Sequence, residues 1–240
     1  MNACALSVVI PVHNEASLLP RVAQELVERL RALGHPFELI LVENGSTDDT
    51  SSVVHCLAVE RPEVRLLELP TANYGRALRT GMLAASGDVI VNFDIDYWDV
   101  PFLQDAWALV RHRFDIVIGS KNLLLSSDRR GLIRRVVSHG FRLVLRLAFR
   151  LQMSDTHGIK VWRRSHRLEQ LMGSVRFDNH LFDTELIIRA QRAGLRIVEL
   201  PVEVSETRKP PWGIMRRVPR AVFDIISLRL LLWRDPGLRK

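Results

Sequence analysis

The chain has 240 residues with 47% hydrophobic and 25% charged side chains, a composition ordinary for a globular protein and sufficient for one sizeable core. Its 34 Lys and Arg against 27 Asp and Glu leave a formal charge of +7, with arginine gathered after residue 128, so the expected partner is anionic: a diphosphate, an anionic lipid or a nucleic acid. No apolar run approaches the ~20 residues that cross a bilayer, and Cys4 and Cys56 have neither metal-site spacing nor the number of a disulfide framework, which predicts small core residues in a reducing compartment.

In chain order, residues 3–12 lack a basic flank and run straight into a polar loop, which predicts a first strand rather than a signal peptide. The turn that follows, Pro11-Val12-His13-Asn14-Glu15, has no glycine; a dinucleotide-binding Rossmann domain or a P-loop would need one there for the backbone to approach phosphate. Leu18, Leu19, Val22, Ala23, Leu26, Val27, Leu30 and Leu33 recur at helical spacing, and Gly34 stops the helix. Residues 37–42 predict a second strand. The glycine-bearing loop comes after it, Glu43-Asn44-Gly45-Ser46-Thr47-Asp48-Asp49-Thr50, where Thr47 or Asp48 can cap the next helix; turn chemistry alone asks no more of it.

Helices at 50–58 and 76–85 and strands at 64–69, 89–93 and 115–119 complete an alternation of short Val, Ile and Leu runs with amphipathic segments. Such alternation implies parallel strands, right-handed crossovers and a doubly wound sheet flanked by helices. The run Val89-Ile90-Val91-Asn92-Phe93 closes on Asp94-Ile95-Asp96, two carboxylates where a buried strand emerges. Ligands of open α/β sheets collect at that edge, and a hard divalent cation is the usual bridge from carboxylate to diphosphate. Two acids in a solvated loop is the plain alternative.

The alternation weakens after Gly119. A basic helix is predicted over 131–152, with Arg130, Arg134, Arg142, Arg146 and Arg150 separated by multiples of four and aliphatic residues over most of the rest. Such a helix suits a membrane interface, with arginines at anionic headgroups, or the surface of the sheet. A strand around 158–162, a helix at 181–193 and a strand at 196–204 follow. The stretch 221–233 is apolar but broken by Asp224 and Arg229, which favours an interfacial or partner-binding helix over a spanning one and equally allows packing on its own domain. No nucleic-acid motif accompanies the basic stretch, so nucleic acid is not the expected partner.

Taken together, Val8-Val9-Ile10-Pro11-Val12-His13-Asn14-Glu15, the loop from Glu43 to Asp48, Asn73-Tyr74-Gly75, Ser86-Gly87-Asp88, Asp94-Ile95-Asp96, Ser154-Asp155-Thr156-His157-Gly158-Ile159-Lys160, Phe182-Asp183-Thr184-Glu185-Leu186 and Ile197-Val198-Glu199-Leu200-Pro201-Val202 occur in a familiar order. Over residues 6–209 the chain resembles inverting GT-A glycosyltransferases of the family 2 type, most of all dolichyl-phosphate and polyprenyl-phosphate mannosyl- or glucosyltransferases. The resemblance implies a GT-A catalytic domain over 1–209 followed by a basic amphipathic tail over 210–240. It also implies transfer of a hexose from a GDP- or UDP-sugar to a polyprenyl phosphate at the cytoplasmic membrane face.

Site roles follow from the same resemblance. Pro11, Asn14, Glu15, Glu43, Asn44 and Asn73 would hold the nucleoside sugar, and Asp94 and Asp96 would bind the Mg²⁺ or Mn²⁺ that neutralises the departing diphosphate. Arg134, Arg135, Ser138 and Lys209, with Glu185 as a further candidate, would hold acceptor or diphosphate; Asp155 would organise donor or acceptor and Arg208 would stabilise the leaving group. His157 and His180 are either phosphate contacts or locally satisfied side chains. The chain departs from the pattern at Glu43-Asn44, where two aspartates are usual, and at Trp98, where a polar residue usually assists the metal; Asp99 is the nearest substitute, and Trp98 is expected in the core. A lipid phosphate arrives charged and needs only positioning, whereas a sugar hydroxyl, the alternative acceptor, needs a carboxylate base such as Asp155 or Glu185. A catalytically silent relative that binds a membrane or partner is the remaining alternative.

Overall fold

A computed structural model of the chain describes residues 4–121, 140, 144, 146–154, 156, 158–202 and 214–234. Seven strands, β1 (Leu6–Val12), β2 (Phe37–Asn44), β3 (Val64–Leu69), β4 (Val89–Asn92), β5 (Ile116–Ser120), β6 (Lys160–Arg163) and β7 (Ile197–Pro201), form one sheet in the order β3-β2-β1-β4-β6-β5-β7. Its helices are α1 (Leu19–Arg31), α2 (Thr50–Glu60), α3 (Tyr74–Ala84), α4 (Val100–His112), α5 (His166–Ser174), α6 (Phe182–Arg192) and α7 (Ile214–Arg234).

Strand residues alternate between two cores, because successive side chains leave a strand on opposite faces. Leu6, Val8, Ile10 and Val12 of β1 pack with α1, α2 and α4, whereas Val9, with Ile40 and Val42 of β2, packs with α3, α5 and α6. Both faces are therefore dry, which is why the strands read as continuous aliphatic runs. The five strands expected up to residue 120 all run in one direction. β6 does not: it inserts between β4 and β5 antiparallel to both. The sheet is thus mostly parallel.

Two helices had no sequence expectation. Asp99 starts α4 by accepting a hydrogen bond from the Phe102 amide at 2.8 Å, with Pro101 in the first turn, and Ser165 starts α5 by accepting from the Leu168 amide at 3.2 Å. Cys56, expected in the core, is exposed on α2. Most of the basic segment 131–152 lies outside the described residues, although 140, 144 and 146–149 are helical. The 209/210 boundary also falls outside them. Beyond it α7 lays Ile225, Leu228 and Leu232 into the same core as α3 and α6, so its inner face belongs to the domain. No helix among the described residues is long and apolar enough to cross a membrane.

Candidate functional site

The carboxyl ends of β1, β2 and β4 meet around an open cavity of about 390 Å³. Pro11 lines it from the end of β1, His13 and Glu15 from the loop that follows, Asn44 from the end of β2, and Asn73 and Tyr74 from the start of α3. Asp94 and Asp96 close it from the loop after β4. Pro11, Glu15, Asn44, Asn73, Asp94 and Asp96, which the sequence assigned to the nucleotide sugar and the metal, are therefore brought to one place.

Two other assigned residues are not part of this wall. Asn14 adopts φ 55°, a left-handed conformation that Asn tolerates, and its Oδ1 accepts from the Thr47 amide at 2.8 Å while its own amide donates to Ser46 Oγ at 3.0 Å. Glu43 is buried and turned back on its own loop, accepting from the Gly45 and Ser46 amides at 3.2 and 2.6 Å. Neither lines the cavity; both fix the backbone of the residues that do. The Glu43-Asn44 departure acquires a use here, since Asn44 Oδ1 accepts from the Asn73 amide at 2.7 Å and so ties the second loop to the third.

After β4 the chain folds tightly, with reciprocal backbone hydrogen bonds between Asp94 and Tyr97 at 3.0 and 3.1 Å, so that Asp96 stands exposed at the tip. Burial, and then the charges of Asp183 and Asp96, push the Asp94 carboxyl up to about 6, against the attraction of Lys160 and Lys121. Two carboxylates that repel each other across one cavity fit a divalent cation, which would replace that repulsion with attraction. The described residues offer no group of three acid, His or Cys donors, and two carboxylates are the number that would hold Mg²⁺ when phosphate and water supply the rest.

Beneath Asp94 is a buried polar network. The fully buried Lys160 Nζ donates to Asp183 Oδ1 at 2.9 Å and to the Gly158 carbonyl at 2.7 Å, and Tyr74 donates its hydroxyl to Asp183 Oδ2 at 3.3 Å. Burial, followed by the Asp183 and Asp94 charges, raises the Tyr74 hydroxyl well above its ordinary value and keeps it a donor. The resemblance assigns no role to Lys160 or Asp183. The signal was a lysine inside the apolar strand Ile159-Lys160-Val161-Trp162, which demands a buried partner.

Glu185 is corrected. It is fully buried, with Oε1 accepting from Arg189 Nε at 2.7 Å and Oε2 from the Arg176 and Phe177 amides at 3.0 and 2.9 Å. Every oxygen is committed to the fold, so it holds the loop before α6 rather than an acceptor. That loop in turn abuts the cavity rim: the carbonyl oxygens of Asp178 and Asn179 lie 2.3 and 2.5 Å from where a Cβ on Gly75 would stand. Gly75→Ala is expected to destabilise the protein by about 1–3 kcal/mol in urea titration, the ordinary cost of overpacking, and to weaken nucleotide binding by displacing Tyr74. Asp99 is also corrected, its carboxylate being the cap of α4. Trp98 packs against the first core with the Arg29 guanidinium 5.4 Å from its ring centre, as expected of a packing residue. His180 Nε2 is 3.1 Å from Asp224 Oδ2. Asp155, Arg208, Lys209, Arg134, Arg135, Ser138 and His157 lie outside the described residues.

Residues 7–165 match the family described as glycosyl transferase family 2. Glycosyltransferase AglD of Haloferax volcanii is 34% identical over 205 residues, covering 82% of this chain and 32% of that protein, so the chain spans about a third of that relative's length. Dolichyl-phosphate beta-glucosyltransferase of Dictyostelium discoideum is 26% identical over 244 residues, covering 93% of this chain and 73% of that protein. Among solved structures, glucosyl-3-phosphoglycerate synthase from Mycobacterium tuberculosis, in complex with Mn²⁺, UDP and glucosyl-3-phosphoglycerate, superimposes with a TM-score of 0.66 at 23% identity. The match covers 94% of this chain and 80% of that one.

Proposed function

Since the chain belongs to glycosyl transferase family 2 and has the GT-A fold, we propose that it moves a hexose from a UDP- or GDP-sugar to a polyprenyl phosphate, with inversion, at the cytoplasmic face of a membrane. The observation that carries this reading is the convergence of Glu15, Asn44 and Asn73 with Asp94 and Asp96 on one cavity. Glu15, Asn44 and Asn73 would accept from and donate to the nucleoside, with Pro11 as apolar wall. Asp94 and Asp96 would hold Mg²⁺ or Mn²⁺, which supplies neutralisation of charge on the leaving diphosphate. Arg208 and Lys209 would add cations at the same diphosphate.

The choice of a lipid phosphate over a hydroxyl draws on the acids of the second half. Asp183 is bound to Lys160 and Tyr74, and Glu185 to Arg189 and two amides, so a hydroxyl acceptor would have to rely on Asp155 for its base. An acceptor that arrives as an anion needs no base. Its phosphate oxygen would form the bond to the anomeric carbon as the bond to the diphosphate breaks on the opposite side. Arg134, Arg135 and Ser138 would orient it, and Asp155 would organise donor or acceptor. The relative from Dictyostelium is named for an acceptor of this class.

The test is incubation of the purified protein with labelled UDP- and GDP-hexoses and a short polyprenyl phosphate, with Mn²⁺ or with EDTA. Labelled lipid is expected with Mn²⁺ and not with EDTA, and nuclear magnetic resonance of the product is expected to show an inverted anomeric centre. Label appearing only in a saccharide hydroxyl would overturn the acceptor assignment. Nucleotide binding without any transfer would point to a silent relative, as the departures at Asn44 and Trp98 would allow.

A further inference from the structure

The outer face of α7 is apolar and exposed. Phe223, Ile226, Leu230 and Trp233 are 68, 52, 51 and 68% exposed, and their spacing of three, four and three residues puts them on one side of the helix. The opposite side carries Ile225, Leu228 and Leu232 in the core, so the helix cannot rotate to hide the stripe without emptying the interior. Arg229 donates to the carbonyl oxygen of Ala148, which brings the helical residues 146–149 alongside and adds Leu147, 74% exposed, to the same region.

We propose that this face docks on an anionic lipid bilayer, with α7 lying in the plane of the interface. Three observations select that occupant. Aromatic residues stand at both ends of the stripe and aliphatic ones between them, the arrangement of a helix whose apolar side sinks into the headgroup boundary. Arg229 on the helix, and Arg146 and Arg150 beside Leu147, are exposed and complementary to anionic headgroups, and the chain as a whole carries +7. The stripe is also joined to the cavity rim: Asp224, next to Phe223, pairs with His180, and the preceding residues Asp178 and Asn179 pack on Gly75 beside Tyr74. A bilayer on this face would therefore hold a lipid phosphate close to the cavity mouth. In that use the inference rests on the lipid-phosphate reading; the binding itself does not.

Sedimentation with phosphatidylcholine vesicles, with and without phosphatidylglycerol, reads the binding in the absence of donor and acceptor, so it can fail or succeed independently of transfer. Binding is expected to require phosphatidylglycerol and to weaken as salt rises. F223S/W233S and, separately, I226S/L230S are expected to weaken it at least about tenfold, given the apolar area each removes. Val59→Ser, at an 88% exposed residue of α2 remote in sequence from the stripe, is expected to leave it unchanged. Circular dichroism and nucleotide affinity are expected to match the unmodified protein for all three. No vesicle binding, or equal loss on Val59→Ser, would overturn the proposal. So would a dimer in analytical ultracentrifugation that F223S/W233S converts to monomer, since the stripe would then be a subunit contact.

Discussion

Asp96→Asn is expected to lower metal-dependent transfer at least about a hundredfold, and Asp94→Asn to do the same while making the ligand-free protein more stable. The second half of that expectation follows from linkage. Asp94 ordinarily titrates near 3.8, and in the fold it is held up to about 6, first by burial and then by Asp183 and Asp96. A carboxyl with a raised folded value favours the folded state while protonated, and that advantage is lost as pH climbs through about 6. At neutral pH the ionised Asp94 therefore costs the empty protein up to about 3 kcal/mol, which an uncharged Asn does not impose. The same carboxylate is what a cation would bind. Mn²⁺ affinity is accordingly expected to fall by roughly tenfold for each pH unit below about 6, as protons and metal compete for one oxygen pair. Titration calorimetry with Mn²⁺ between pH 5 and 8, beside thermal melts of the metal-free proteins, checks both halves. An Asp94→Asn protein that melts lower than the parent and still binds Mn²⁺ would remove Asp94 from the metal site.

That trade between stability and function explains which parts of the site could be read from the chain. Asp94 and Asp96 stood out as candidates because acids where an aliphatic strand ends call for a reason to be there, and for Asp94, the less exposed of the two, the charge is also costly to the fold. The strands were legible for the complementary reason: a sheet dry on both faces gives β1, β2 and β4 each an uninterrupted run of Val, Ile and Leu. What failed to show was pairing across distance. A strand near β6 was expected, but nothing in its four residues shows that it inserts between β4 and β5 antiparallel to both. Asn14 and Glu43 carried the right residue types for ligand contact, but Asn14 accepts from an amide 33 residues away and Glu43 from amides two and three residues on, commitments that the residue types alone do not reveal. Glu185 did carry a local sign of its role, with Arg189 four residues on, the spacing of an intrahelical ion pair.

The largest stability effect is expected at the buried pair under Asp94. Asp183→Asn leaves the fully buried Lys160 ammonium without its counter-charge and with neutral acceptors only, the Gly158 carbonyl and the amide oxygen, and unfolding free energy in urea is expected to drop by about 3–5 kcal/mol. Lys160→Met is expected to cost a comparable amount by orphaning Asp183. The double variant, K160M/D183N, removes both charges and is expected to recover part of the loss, because most of each single cost is an uncompensated ion rather than a missing contact. The two singles also push the neighbouring site in opposite directions. Without Lys160, the repulsion of Asp94 by Asp183 is opposed only more weakly, by Lys121, so the pH below which Mn²⁺ binding fails is expected to rise; without the Asp183 charge it is expected to fall. A pair that served only to fill the floor of the sheet would change stability in both variants and move that pH in neither, and this is the result that would confine Lys160 and Asp183 to packing.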